Sequence, residues 1–455
     1  MKMKALAALV CGMLLLGATA GRAAGTDGGK RVLDLNDCIR NALAVAPELG
    51  ESQADIDLAA SKLVEAKAHR YPRIDFLGLI GPVPQARGNQ VSSPDSITQA
   101  DRLTWFTRGD ATLVQPLYTF GKISESMKAA SHGIEVDRAK KEQRRNEVTL
   151  QVKEYYYGLL LARELKEVVL EVQEDLDKAK KKAREYLDKG SPNVDDLDIY
   201  KLDAFSGEVA KYLEEARKGE ELALAALRSR IGLPPDAPFD IATERLTPDE
   251  TVTAPLPTYL DASRTQRPEY RQVKEGLLAR QALVEAAKAA YWPDFFIGGY
   301  LSAAYAEKRD RVSNPWVPDE FNHFWGGIAL GLKWKLDFGI TGAKVAAEQA
   351  QYVRLLSTKT YAETNIPLQI RKAYLELQEA EKSITATRDA YTNAKKWVVA
   401  ALANFDFGIG PAKEIFDGLE NYAKMRSDYF RSIYNQKMSR ANLDYAIGAA
   451  PLEQK

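Results

Sequence analysis

The sequence has almost no cysteine and very little histidine, and both shortages limit the chemistry open to it. Of its two cysteines, Cys11 lies in an N-terminal apolar segment, so Cys38 is the single cysteine of the remaining chain. One cysteine cannot form an intrachain disulfide, and a small buried apolar role is predicted for it. The three histidines, His69, His132 and His323, are too scattered to predict a metal site. No catalytic residue, metal ligand or cofactor is predicted, and the chain is not expected to be an enzyme.

The chain also lacks a net charge and, beyond its N-terminus, a long apolar run. It has 63 Lys and Arg against 63 Asp and Glu, so neither nucleic acid nor an anionic membrane surface is indicated as a partner. Lys2 and Lys4 precede an apolar run over residues 5–16, which predicts a secretory signal peptide cleaved at about residues 20–24. No later run approaches the roughly 18 residues of a membrane helix. If this exported chain spans a membrane, it is expected to do so with strands.

Proline is absent from residues 121–188, and this stretch carries an apolar residue every three or four positions. The pattern predicts one continuous helix, about 100 Å long at ~1.5 Å per residue. Its apolar seam, which includes Val152, Leu159 and Leu176, is narrow, as in helices that pack on one partner. Taken alone, the stretch is also compatible with an ordinary solvated coiled coil.

The same order of elements occurs twice along the chain. Tyr71-Pro72 recurs as Trp292-Pro293, and Phe120-Gly121 recurs as Phe338-Gly339. Each half predicts a helix, a strand pair, a long helix, a break and a return helix, the two shorter helices being stacked end to end beside the long one. Pro367 falls inside the second long helix and predicts a kink there.

The boundaries of these predicted parts follow from the repeat and from the turn residues. In the first half we predict helices at 34–46 and 48–70, strands at 74–80 and 105–118 joined by a loop at 81–101, the long helix, and a return helix at 194–231. The predicted division of the chain is a signal peptide at 1–24, a first repeat at 25–231, a proline-rich linker at 232–257, a second repeat at 258–448 and a tail at 449–455.

The clearest strand pattern covers residues 328–338. Apolar residues at even positions alternate with small or charged ones at odd positions, as in a membrane strand with one lipid face. The charged positions, Lys333, Lys335 and Asp337, are predicted to face the lumen of a barrel. A single strand of this kind also fits the edge of a soluble sheet. Four strands cannot close a barrel, so neighbouring chains are expected to supply the missing strands.

The junction Gln115-Pro116-Leu117-Tyr118-Thr119-Phe120-Gly121-Lys122, the start Pro47-Glu48-Leu49 and the glycine-centred helix breaks resemble those of the TolC-like outer-membrane efflux family. The resemblance covers the mature chain with its repeat. It implies an α plus transmembrane β fold, in which three copies share a 12-stranded β-barrel and an α-helical tunnel. It further implies an exit duct of a tripartite efflux or type I secretion system, placed in the Gram-negative outer membrane. The implied partners are outer-membrane lipid, a periplasmic adaptor and an inner-membrane transporter.

The resemblance also implies that the periplasmic end of the tunnel is closed near the two helix breaks. Gly190 and Gly408 are then the tips of the helix hairpins, and the acids at the family's gate spacing are Asp196, Glu414 and Asp417. Three copies of such acids would form a ring that repels itself and attracts cations. The alternative is that acids in the first turn of a helix serve only its dipole.

A periplasmic coiled-coil adaptor or scaffold is the alternative function, because it would share the signal peptide and the long helices. Such a protein is not expected to carry two pairs of amphipathic strands. The transported substrate cannot be read from the sequence.

Overall fold

The computed structural model describes residues 31–88, 97–191 and 194–449. The expected signal peptide, residues 192–193 of the first helix break and nearly all of the tail lie outside the described residues. Two long helices dominate the chain. The elements are β1 (Arg31–Leu33), α1 (Leu35–Val45), α2 (Pro47–Ala68), β2 (Arg73–Arg87), β3 (Ile97–Tyr118), α3 (Lys122–Asp188), α4 (Asp196–Arg230), β4 (Phe239–Ile241), α5 (Leu256–Gln266), α6 (Pro268–Lys288), β5 (Asp294–Ala306), β6 (His323–Lys333), α7 (Ile340–Asp406) and α8 (Ala412–Ile447).

The predicted long helix is confirmed, and its counterpart in the second half has the same length. Helices α3 and α7 contain 67 residues each, which corresponds to about 100 Å. Each follows a pair of residues with positive φ, Phe120-Gly121 and Phe338-Gly339. Helix α7 continues without interruption through Pro367, and the kink expected there stays a prediction. Within the described ranges, none of the helices combines the length and apolar content needed to cross a bilayer.

The shorter helices stack end to end, as predicted. Helices α2 and α4 both pack along α3, while α6 and α8 both pack along α7. Where α2 begins and α4 ends, Glu48 and Arg230 form an ion pair of 2.8 Å. Where α8 ends, Gly448 has a φ of 83° and lies so close to Arg267 that an added Cβ would come within 2.5 Å of its Cα. A glycine is therefore required at this joint.

The largest apolar core lies between α1, the middle of α3 and the linker. Cys38 is 0% exposed there, packed among residues such as Ile39, Tyr156 and Leu159. Burial raises the pKa of the Cys38 thiol to about 12, and its predicted apolar role is confirmed. The linker is more ordered than the sequence indicates: β4 pairs in parallel with β1, and α5 begins within its last residues.

The four longer strands form one antiparallel sheet in the order β2-β3-β5-β6. The prediction of a loop at 81–101 is largely wrong, because β2 and β3 extend well into it. Pro82 and Pro84 are tolerated because β2 is an edge strand. Strand β6 ends at Lys333 rather than at residue 338, since Lys333 already lies opposite Asp294, the first residue of β5.

Candidate conduction surface and helix tips

Residues directly opposite each other on neighbouring strands lie on the same face of a sheet. Assigned in this way, the residues of the sheet form one apolar face and one polar face. Between the helix end of the sheet and the β-bulge at Pro84/Gln85, the apolar face carries no charged residue within the paired segments. Its members include Ile74, Phe76, Leu113, Leu301, Ile328, Leu330 and Leu332. Ile328 is 84% exposed within the single chain. The polar face carries every charged residue of those paired segments, namely Arg73, Asp75, Arg108, Asp110, Asp294 and Lys333. The division is that of a membrane strand.

The sheet has two open edges, at β2 and β6. Apart from one isolated bridge between Ala86 and Arg309 at the outer end of β2, the described chain contains no partner for either. Between β3 and β5, Phe120 stacks on Trp292 with ring centroids 5.3 Å apart. The repeat counterparts of these two residues are Phe338 beside β6 and Tyr71 beside β2. They lie at opposite edges of the sheet and are 100% and 71% exposed. The chain thus contains one complete aromatic stacking pair, between β3 and β5. Each open edge carries one of the two residues that would form a second such pair.

Of the three residues expected in the lumen, Lys333 lies on the polar face as the last residue of β6. Lys335 and Asp337 lie beyond the strand. The Asp337 carboxylate accepts hydrogen bonds from the backbone N–H of Thr341 at 3.0 Å and from its hydroxyl at 2.6 Å. Asp337 therefore caps the start of α7, which the strand-like alternation of its neighbours concealed. A luminal position for Lys333 stays a prediction.

The long helices end in the same way at the two expected tips. Gly190 and Gly408 each have a φ of 70°. The N–H of Gly190 donates to the carbonyl of Leu187 at 2.9 Å, and that of Gly408 donates to Phe405 at 2.9 Å. The backbone N–H of the next residue, Ser191 or Ile409, donates to the carbonyl five residues before it, Tyr186 or Asn404. This bond completes the helix-ending motif that favours glycine.

Asp196 is the first residue of α4 and is exposed. The helix is capped by its neighbour Asp195, whose carboxylate accepts the N–H of Asp198 at 2.9 Å. Capping thus occupies Asp195 and leaves the Asp196 carboxylate at the surface.

The other two candidate gate acids lie in the first turns of α8. Glu414 accepts a hydrogen bond from the indole N–H of Trp397 at 3.4 Å. Asp417 lies 3.7 Å from the ammonium of Lys413. Their gate role stays a prediction, since it depends on how copies of the chain meet.

The sequence did not predict the links that join the two tips within one chain. The Tyr186 hydroxyl donates to the carbonyl of Asp406 at 2.7 Å, and Lys182 lies 2.7 Å from the Asp406 carboxylate. This hydrogen bond raises the pKa of Lys182. Since Gly190 and Gly408 are repeat counterparts, the sequence places these residues at one level. It does not identify which side chains meet there.

Comparison with known proteins agrees with this architecture. Residues 38–197 match the family model "Outer membrane efflux protein". The chain is similar to the solved CmeC outer membrane channel of Campylobacter jejuni, with 16% identity, a TM-score of 0.76, and coverage of 91% of this chain and 85% of that one. It is likewise similar to VceC of Vibrio cholerae, with 16% identity, a TM-score of 0.72, and coverage of 91% and 96%. It is also similar to CusC, whose structure is described with transmembrane channel formation. The identity is 15%, the TM-score is 0.75, and the match covers 92% of this chain and 94% of that one.

No curated protein matches the chain. At these identities the solved structures establish the fold, and the family model matches residues 38–197, within the first repeat. The resemblance to TolC-like efflux proteins is therefore confirmed.

Proposed function

We propose that this chain, a TolC-like outer-membrane efflux protein, is one subunit of a trimeric duct through which substrates leave the cell envelope passively. The duct lies in the outer membrane of a Gram-negative bacterium, with its long helices in the periplasm. A periplasmic adaptor and an inner-membrane transporter deliver the cargo. The observation that carries the proposal is the pair of open sheet edges with their unmatched aromatic residues.

The open edges support closure by neighbouring copies of the chain. An exposed strand edge in lipid leaves backbone N–H and C=O groups without partners, which costs several kcal/mol for each group. Pairing β6 of one subunit with β2 of the next removes both edges and places Phe338 beside Tyr71. Twelve strands spaced ~4.8 Å apart and tilted about 40° form a barrel about 24 Å across between backbones.

Closure also assigns the two faces of the sheet. The apolar face must contact lipid, since it carries no charge, and the polar face then lines the lumen. The helices continue the lumen beyond the membrane, because both long helices start directly after β3 and β6. A solute can therefore cross two compartments inside one tube without chemical change.

The gate proposal concerns Asp196, Glu414 and Asp417 at the far end of the tube. Three copies of each would converge around the symmetry axis, where like charges repel and divalent cations are attracted. Lys413 reduces the negative field of Asp417 within each chain. The gate acids therefore act as a ring rather than as single sites.

Three measurements test the proposed function. Fractionation should place the protein in the outer membrane, the mass of the detergent-extracted protein should equal three chains, and planar bilayers should show single channels. A soluble periplasmic protein would instead favour the adaptor alternative. A monomer without channel activity would refute the duct.

A further inference from the structure

We propose that residues 307–322, between β5 and β6, form a second constriction of the duct, at its extracellular mouth. This segment, the mouth strap, crosses the polar face of the sheet at the end farthest from the helices. The inference rests on the proposed function, because the polar face is the lumen only when the barrel closes.

Burial shows which face the strap covers. Ser302 is 0% exposed, and Thr104 and Ala306 on the same polar face are also buried. Closer to the helices the polar face is open, as at Val114. Tyr305 lies at the level of the strap but on the apolar face, and it is 57% exposed. The strap therefore covers only the luminal side and only the outer end.

One end of the strap is fixed to β3 and β5. Glu320 forms an ion pair of 3.3 Å with Arg108, a polar-face residue of β3. Phe321 packs edge-on against Phe106 of the same strand, with centroids 5.4 Å apart. The buried Asn322 side chain accepts the backbone N–H of the last residue of β5 at 3.0 Å. These contacts hold the strap against the sheet rather than above it.

The other end reaches the edge strand β2. The guanidinium of Arg309 donates to the carbonyl of Pro84 at 2.6 Å and lies 3.8 Å from the ring centroid of Phe321. The N–H of Asp310 donates to the carbonyl of Ala86 at 3.1 Å. The strap therefore contacts three of the four strands: β3 and β5 through the polar face, and β2 through its backbone at the outer end, at and beyond the bulge between Pro84 and Gln85.

The strap is also organised internally. The Asp319 carboxylate accepts the backbone N–H groups of Val312, Phe321 and Asn322 at 2.9 to 3.0 Å. A segment with this many intrachain bonds keeps its shape without a bound partner. The constriction is thus built into each subunit before assembly.

The dimensions indicate how much the strap narrows the mouth. Without it, side chains about 5 Å deep on each wall leave about 14 Å free in a barrel of ~24 Å. A chain layer packs about 10 Å above a sheet, so straps on all sides leave only about 4 Å. In this conformation the mouth admits water and small ions and excludes organic solutes arriving from outside.

The test replaces residues 307–320 with Asn-Gly, a two-residue turn. It joins Ala306 to Phe321, which would lie opposite each other if the register that ends at Ala304 and His323 continued for two more residues. Polymers about 10 Å across, a size between the two estimated openings, are added to the extracellular side of single channels. They should leave the conductance of the unchanged protein unaffected and lower that of the replacement variant. If they enter both channels alike, the strap proposal is overturned.

A labelling experiment covers the case in which the replacement variant does not assemble. Arg311→Cys lies on the strap, and Tyr305→Cys is the matched control at the same level on the apolar face. The native Cys38 is buried and does not react. A bulky maleimide should lower conductance only at position 311, and equal effects at both positions would contradict the inference. Absence of any channel would instead count against the duct itself.

Discussion

Cysteines at Lys333 and Leu77 should link neighbouring subunits covalently, because the repeat predicts how β6 of one chain meets β2 of the next. Both residues lie on the polar face and are exposed in the single chain. Once the predicted signal peptide with Cys11 is removed, the remaining native cysteine is Cys38. It is 0% exposed, so the engineered pair supplies all the reactive thiols. Substituting both residues removes one charge and one apolar side chain from the predicted lumen and no contact of the chain's core.

The expected pairing follows from the register inside the chain. Val114 of β3 lies opposite Arg73, the first residue of β2, and Lys333 of β6 lies opposite Asp294, the first residue of β5. Val114 and Lys333 therefore occupy corresponding positions in the two hairpins. Val114 also lies opposite Gly298, the fifth residue of β5. The fifth residue of β2 is Leu77. Lys333 of one subunit is therefore expected directly opposite Leu77 of its neighbour.

The distances make this prediction selective. Opposite Cα atoms in an antiparallel pair are about 4.5 to 5.5 Å apart, and a disulfide requires about 4.4 to 6.8 Å. Moving the second cysteine to Leu79 keeps the same face but produces a diagonal separation of about 7 to 8 Å. The register shift alone should therefore abolish efficient bond formation.

The assay is mild oxidation of the detergent-extracted protein, followed by denaturing electrophoresis without reductant. K333C/L77C should yield covalent dimers and trimers, and K333C/L79C should remain largely monomeric. The internal counterpart V114C/G298C should form its bond within one chain and migrate as a monomer. Preferential linkage of K333C/L79C would refute the predicted register. Failure of both intersubunit pairs would refute closure through these edges.

Three further changes test other parts of the structure. Asp417→Ala should raise single-channel conductance and weaken divalent-cation block, and unchanged values would remove this residue from the gate. Gly448→Ala should lower the free energy of unfolding by about 2 to 4 kcal/mol, because the residue has a positive φ and its Cβ would meet the backbone of Arg267. The control Gly207→Ala adds a Cβ in open space within α4 and should leave the Tm equal or higher. A hydrogen bond from Lys180 lowers the pKa of Asp203 below 3.8. The ion pair therefore stabilises the folded tip fully above pH 3.8, and this stabilisation is lost as the pH falls through the lowered pKa of Asp203. The Tm difference between the protein and D203N should therefore shrink on acidification, and a constant difference would contradict the assignment.

The sequence predicts those parts of the fold that depend on local pattern. Proline-free heptad-like spacing was sufficient for α3, the repeat extended the prediction to α7 despite Pro367, and alternation was sufficient for the existence of four strands. The repeat located the tips at Gly190 and Gly408, because a left-handed residue at a helix end favours glycine wherever it occurs. The helix stacking followed from length alone.

The remaining features depend on partners distant in the chain. The pairing of β1 with β4 joins two three-residue segments about 200 positions apart, too short to show a period. The strap residues Arg309 and Glu320 look like ordinary loop charges until β2 and β3 are placed beneath them. The strand was predicted to reach residue 338 because the alternation continues through Asp337, although β5 begins at Asp294 and offers no partner beyond Lys333. In each case the physical cause is a non-local contact that periodicity does not encode.

The equal lengths of α3 and α7 have a consequence for whatever meets the end of the duct. Both helices start from a Phe-Gly pair and end at a glycine of identical φ, so each chain presents two tips at one height. In the proposed trimer, the closed ring would then offer six nearly equivalent projections, alternating in chemistry between the turn at Gly190 and the turn at Gly408. A protein approaching along the axis of that trimer would meet a pseudo-sixfold ring of tips. It can occupy every projection or every second one, and the small differences between the two kinds of tip determine which.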